Sequence, residues 1–366
     1  MNSRGAKKTK MLSTKASNQE RLLRTLILPV AILAITVLAP VAPLVHAQSV
    51  VTIIPADFKP LGVGVNVLTN EIYVATTRNS DGNLDVINGT TNTIIARIST
   101  GNGTSAFKVA VNPVTNRVYV TNTRGSTLQV IDGSSHTLSS SIPVCGSGSP
   151  NNVAVNRRTN TVYVGCSGPA ALAVINGQTD MVTTTIPLSA YIGSARPVTV
   201  NIRTDRIYVG DGSGSNVVAV DGQSNTIIAN IPVTGASFHL GIDVNPWTNM
   251  VYVSNGGSNS VSVISGSTNT VIANIPVGPQ PYGVGVDPRS NTIYVANSVG
   301  TSNSSSVSVI DGSDNTVSDT IKAPAWAIDA GVNPQTELVY VAEYYRCQSS
   351  SCANDPNQNS VLVISE

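Results

Sequence analysis

The eleven residues NPVTNRVYVTN, Asn112 to Asn122, decide the fold, because the chain writes them seven times. The variants are NVLTNEIYVAT from Asn66, NRRTNTVYVGC from Asn156, NIRTDRIYVGD from Asn201, NPWTNMVYVSN from Asn245, DPRSNTIYVAN from Asp287 and NPQTELVYVAE from Asn333. Each places a tyrosine at the same position: Tyr73, Tyr119, Tyr163, Tyr208, Tyr252, Tyr294 and Tyr340. Successive tyrosines lie 46, 44, 45, 44, 42 and 46 residues apart. A fixed period of this length marks a repeat architecture, in which one supersecondary unit is stacked many times.

The unit around Tyr119 reads as four short β segments, FKVAVN, RVYVTN, TLQVID and TLSSSIPV, alternating or β-branched, with turn residues between them. No segment sustains a helical period. In the first turn Pro113 pre-sets φ, while Asn112 and Asn116 suit backbone bonding or left-handed geometry. In the third-to-fourth connection Asp132-Gly133 opens a hairpin, a pair repeated at Asp221-Gly222, Asp311-Gly312, Asn88-Gly89 and Asn176-Gly177. Four strands in this period describe one propeller blade. The seventh unit ends at SVLVISE with three strands, and residues 49–55, SVVTIIP, resemble the fourth strands NTIIANIP and NTVIANIP. The sequence therefore predicts an all-β, seven-bladed β-propeller whose N-terminal strand completes the last blade and hides its edge. The repeated tyrosine is expected to fill the gap between neighbouring blades and to find a partner for its hydroxyl.

The motifs VNPVTNRVYVTN, VNPWTNMVYVSN and VDPRSNTIYVAN, followed by VIDG and IANIPVG, resemble the YVTN-repeat propellers, the YncE-like and surface-layer-like group. The resemblance covers about 49–366. It implies the propeller fold and export, and it assigns no activity.

Composition agrees with β and turn chemistry: of 366 residues only 11% are charged and 4% aromatic. Residues 1–47 hold seven Lys/Arg and one Glu, ahead of the uncharged run TLILPVAILAITVLAPVAPLV from Thr25 to Val45 and a small-x-Ala pattern ending at Ala47. This reads as a signal peptide, with residues 48–366 as the mature propeller. The alternative is an uncleaved membrane anchor over 25–45, whose length suits a span but which Pro29, Pro40 and Pro43 interrupt. Both readings place the propeller outside the cytoplasm. Residues 48–366 carry fourteen Lys/Arg against nineteen Asp/Glu, so no nucleic-acid partner is expected. No metal-ligand spacing and no phosphate loop is present, so neither metal nor cofactor is expected.

The longer connections and eight of the nine non-repeat aromatics fall between strands two and three or between blades, hence on one face of the disc. Loops on a rigid scaffold are where binding residues concentrate. The ligand-binding candidates are Tyr344, Tyr345, Arg346, Trp326, Phe58 and Tyr282; the competing reading is that several merely plug seams between blades. Trp247 alone lies on the opposite face, in a first turn. Export permits disulfides, and position pairs Cys145 with Cys166 and Cys347 with Cys352; a zinc site is the alternative, without a common zinc spacing. The leading functional expectation is a non-enzymatic binding module for a protein, glycan or small ligand. The alternatives are a propeller-type lyase or lactonase using Asp211, His239, Arg196 or Glu343 at the channel mouth, and a surface-coat component.

Overall fold

The computed structural model describes residues 48–56, 58–78, 81–101, 104–233, 239–298, 305–344 and 359–366. They form twenty-eight strands in seven four-stranded antiparallel sheets. The first blade shows the plan: β2 (Lys59–Asn66) is innermost, followed outward by β3 (Glu71–Arg78), β4 (Asp81–Asn88) and β5 (Thr93–Gly101). The other innermost strands are β6 (Ala106–Asn112), β10 (Ser149–Asn156), β14 (Ala195–Asn201), β18 (His239–Asn245), β22 (Pro281–Asp287) and β26 (Trp326–Asn333). Closure follows the sequence reading. The last blade has the order β1 (Val50–Pro55), β28 (Asn359–Ser365), β27 (Leu338–Tyr344), β26, so the first strand of the chain is the outermost strand of the last blade.

The core is seven cores, one per seam. Tyr119, Leu128 and Val130 of the second blade pack on Val153, Val162 and Val164 of the third, and Tyr340, Ala342 and Val363 of the seventh pack on Val63, Ile72 and Val74 of the first. All seven repeat tyrosines are buried. Their hydroxyls divide. Tyr73 donates to Glu71 Oε2 at 2.8 Å, Tyr340 to Asn92 Oδ1 at 3.1 Å, and Tyr294 accepts from Gln48 at 3.2 Å. That of Tyr252 has no hydrogen-bond partner among the described residues, while those of Tyr119 and Tyr208 lie beside the guanidinium groups of Arg117 and Arg206. The ring drives this position, and in the fifth blade the hydroxyl is incidental.

The repeated turn asparagines do two jobs. The last residue of each first turn is left-handed, from Asn70 at φ 54° to Glu337 at φ 57°. The first Asn folds its own turn and reaches to the next blade: Asn112 Oδ1 accepts from the Val114 amide at 3.1 Å, while its Nδ2 donates to Asn160 Oδ1 at 2.8 Å. The same inter-blade bond joins Asn66 to Asn116, Asn156 to Asp205, Asn201 to Asn249, Asn245 to Asn291 and Asn333 to Asn70, at 2.6–2.8 Å. Between the sixth and seventh blades the donor position is Asp287 and the acceptor position Glu337, and neither carboxylate can donate. There the Glu366 carboxyl lies against Asp287, and burial together with those two acids pushes its pKa up to about 9.

Innermost strands of neighbouring blades approach closely. A Cβ on Gly64 would lie 2.7 Å from Val109 Cγ1, and one on Gly331 would lie 2.6 Å from Val63 Cγ1. Small residues at this register let the ring tighten around its axis.

Candidate binding face

Antiparallel pairing puts the start of each first strand and the end of each second strand on one face. Trp326 opens β26 and Tyr344 ends β27, directly opposite in register. The two rings meet at 5.5 Å between centroids, tilted by 56°. They are a cross-strand pair on strand ends, where sequence reasoning expected loop residues. Lys59, the first residue of β2, places its ammonium 5.7 Å from the Tyr344 ring. Next to it in the chain, Phe58 lies between two guanidinium groups, Arg78 at 5.6 Å and Arg97 at 5.1 Å from the ring centroid. Arg97 also holds Asp85 through Nε at 2.6 Å and Nη2 at 3.2 Å. Lys59 and Arg78 are exposed and make no ion pair among the described residues. Three half-buried aromatic rings and three cations thus share the seam between the seventh and first blades.

Of the sequence candidates, the structure brings together Phe58, Trp326 and Tyr344. Tyr282 sits in β22 of the sixth blade, half-buried, with no ring contact to them among the described residues. Tyr345 and Arg346 lie outside the described residues, as do Cys347 and Cys352. Lys59, Arg78 and Arg97 escaped sequence reasoning, since the relation of Lys59 to Tyr344 depends on which strand ends meet at the closing seam and that of Arg78 and Arg97 to Phe58 on how the strands of the first blade align. On the opposite face Trp247 is 67% exposed, with the Arg203 guanidinium 4.3 Å from its ring centroid.

In the second, third and fourth blades the third residue after the repeat tyrosine ties the second strand to the incoming inter-blade loop. Asn122 Oδ1 accepts from the Ser105 amide at 3.0 Å and the Gly125 amide at 3.1 Å. Asp211 accepts from Gly193, Ser194 and Ser213 amides at 3.0–3.2 Å and from the Ser213 hydroxyl at 2.9 Å. Cys166 makes the tie covalently, bonded to Cys145 as the sequence predicts. Asp211, in the fourth blade, is thereby engaged as a loop clasp, while Glu343 belongs to the seventh blade. Glu343 holds the same register but finds only the Ser360 hydroxyl, at 3.3 Å, and its Oε1 has no partner among the described residues. Burial pushes its pKa up to about 8. His136 is a left-handed turn residue whose Nε2 lies 3.1 Å from Glu71 Oε1.

The axis holds a cavity of about 320 Å³ lined by the seven innermost strands. Each is paired on one side only, so its free edge of N–H and C=O groups faces the channel. Lys108 crosses to Asp329, Nζ to Oδ1 at 2.7 Å, and Asp329 Oδ2 accepts from the Val63 amide at 3.0 Å. Asp243 accepts from the Thr199 hydroxyl at 3.2 Å and from the Val244 and Val286 amides at 2.8 and 3.0 Å. Enclosure is the main cause that pushes its pKa up to about 6, and Asp329 adds to it. Among the described residues no group of three or more His, Cys, Asp or Glu is placed to hold a metal ion. Comparison with protein-family models and with curated proteins gave no match.

Proposed function

We propose that this propeller is an exported, non-enzymatic binding module that works through the face bearing Phe58, Lys59, Arg78, Trp326 and Tyr344. The observation that carries the reading is the aromatic–cation cluster on one seam. The mature region has an excess of acidic residues, yet two cations without an ion-pair partner among the described residues stand here beside flat apolar rings. Such a surface suits a ligand that presents an anionic group next to an apolar face, as acidic glycans and acidic protein segments do. The clasp role of Asp211 speaks against the lyase or lactonase alternative. Export is supported by the basic and apolar leader and by the Cys145–Cys166 disulfide, a bond that persists in oxidising compartments. Kinship with the YVTN-repeat propellers belongs to the same proposal, carried by the repeat motif.

The test is a panel of immobilised acidic and neutral glycans and acidic peptides, probed with the mature protein and with a Trp326→Ala/Tyr344→Ala variant. The expected result is a ligand whose binding weakens by about 1–3 kcal/mol in the variant while the melting temperature holds. A lower melting temperature with unchanged binding would make these rings seam plugs. Intact mass of the native protein tests export, with a mature chain beginning at Gln48 as the expected outcome.

A further inference from the structure

We propose that the central channel binds a primary ammonium on a short aliphatic chain, with the Asp243 carboxylate as its anchor. The channel already contains an internal example. The Lys108 side chain is an ammonium on an aliphatic stem; it is largely buried, and its Nζ rests 2.7 Å from Asp329 Oδ1. Asp243 is the second carboxylate lining the same cavity, and its three hydrogen-bond donors are neutral: the Thr199 hydroxyl of β14, its neighbour's amide, and the Val286 amide of β22. Among the described residues no cation pairs with it. Of the charged groups on the innermost strands, those that line the cavity with it are Asp329 of β26, which disfavours its ionisation, and Lys108 of β6, which is committed to Asp329; Arg196 of β14, Asp287 of β22 and Lys59 of β2 lie at strand ends outside the lining. An enclosed carboxylate without a counter-ion is costly, and an ammonium relieves that cost.

The register shows that Asp243 replaces a small residue in an otherwise small-residue ring. At the position of Asp243 the other innermost strands have Gly64, Ala110, Ala154, Thr199, Gly285 and Gly331. At the position of Asp329 they have Gly62, Lys108, Asn152, Pro197, Gly241 and Gly283, and a Cβ on Gly283 would lie 2.6 Å from Asp329 Oδ1. Capping a free edge N–H needs only an acceptor, which an asparagine supplies without charge. The free carbonyls of the strand edges give the remaining N–H groups of an ammonium their acceptors. The cavity holds on the order of ten waters' volume, more than a four-carbon alkylammonium displaces.

Isothermal titration of the mature protein with n-butylammonium chloride tests this, with n-butanol and sodium chloride at matched concentration as controls. The expected result is saturable binding of the ammonium alone, weakened at least about tenfold in Asp243→Asn, the loss of one charge-assisted contact. Affinity should also fall as the pH drops through about 6, where Asp243 takes up its proton. Absence of binding to the wild-type protein, equal affinity in Asp243→Asn, or an affinity indifferent to pH would each overturn the proposal. Should Asp243→Asn fail to fold, Lys108→Met decides: it frees Asp329, and the number of ammonium ions bound should rise from one to two.

Discussion

At the scale of the residue, the repeat tyrosine separates ring from hydroxyl. Tyr119→Ala should cost about 3–5 kcal/mol, the range for emptying an aromatic site in a packed core, measured by denaturant unfolding. Tyr252→Phe should be neutral or slightly stabilising, because its buried hydroxyl has no partner among the described residues. Tyr73→Phe should instead lose about 1 kcal/mol, since its hydroxyl is bonded to Glu71. Removing the Cys145–Cys166 bond, which closes a loop over a separation of 21 residues, should cost about 3 kcal/mol, read as the difference in unfolding midpoint with and without reductant. The tyrosines were legible in the sequence because periodicity announces them. The cations on Phe58 and the acids in the channel were not. Lys59 acquires meaning only when Tyr344 of the last blade meets the first, Arg78 only when the strands of the first blade carry it to Phe58, and Asp243 and Asp329 stand out only once seven strands are aligned by register on their turn asparagines. For Asp243 the signal was present, as a departure from the Gly, Ala and Thr found two residues before the corresponding turn positions of the other strands.

At the scale of the element, the first strand and the odd seam carry the predictions. Starting the chain at Lys59 removes β1 and exposes the edge of β28, so the truncated protein should lose cooperative unfolding or aggregate. This strand was legible because the terminal repeat is visibly one strand short. The chemistry of the seam between the sixth and seventh blades was not, since Asp287 replaces Asn within an otherwise intact motif and its neighbour Glu366 is far away in sequence. Glu366, Glu343 and Asp243 all have folded-state pKa values raised above the ordinary carboxyl range, to about 9, 8 and 6. Their contributions are fully present below the unfolded carboxyl pKa and are lost as pH rises through those values. The turn acids Asp132, Asp221 and Asp311 have lowered values, held down by turn amides and hydroxyls, so their contributions are present above the ordinary pKa and are lost as pH falls. The melting temperature should therefore peak in mild acid and decline toward pH 9. Asp287→Asn restores a donor at the seam, and it should raise the melting temperature most at alkaline pH. An identical pH profile in that variant would show that the seam acids do not govern it.

At the scale of the whole molecule, the ring sorts its chemistry by face and axis. One face carries the aromatic–cation cluster, the disulfide and the clasp residues, while the other carries repeated turns latched from blade to blade. This division was legible from strand order alone, because antiparallel blades send each class of connection to a fixed side. What a ring cannot do is finish early. The side chains of Ser49 and Ser365 meet at 3.1 Å across a separation of 316 residues. A chain that emerges N-terminus first presents β1 at the outset and receives its partner β28 at the very end. At about 5–20 residues per second, that partner arrives on the order of 15–60 s later. Throughout that interval the first strand is an unpaired edge in a crowded setting, and the six blades already formed have no seventh to close against. Its safety in that window depends on whatever holds the chain until β28 arrives, and a vectorial refolding experiment that releases the C-terminal blade last should show aggregation rising with the length of the delay.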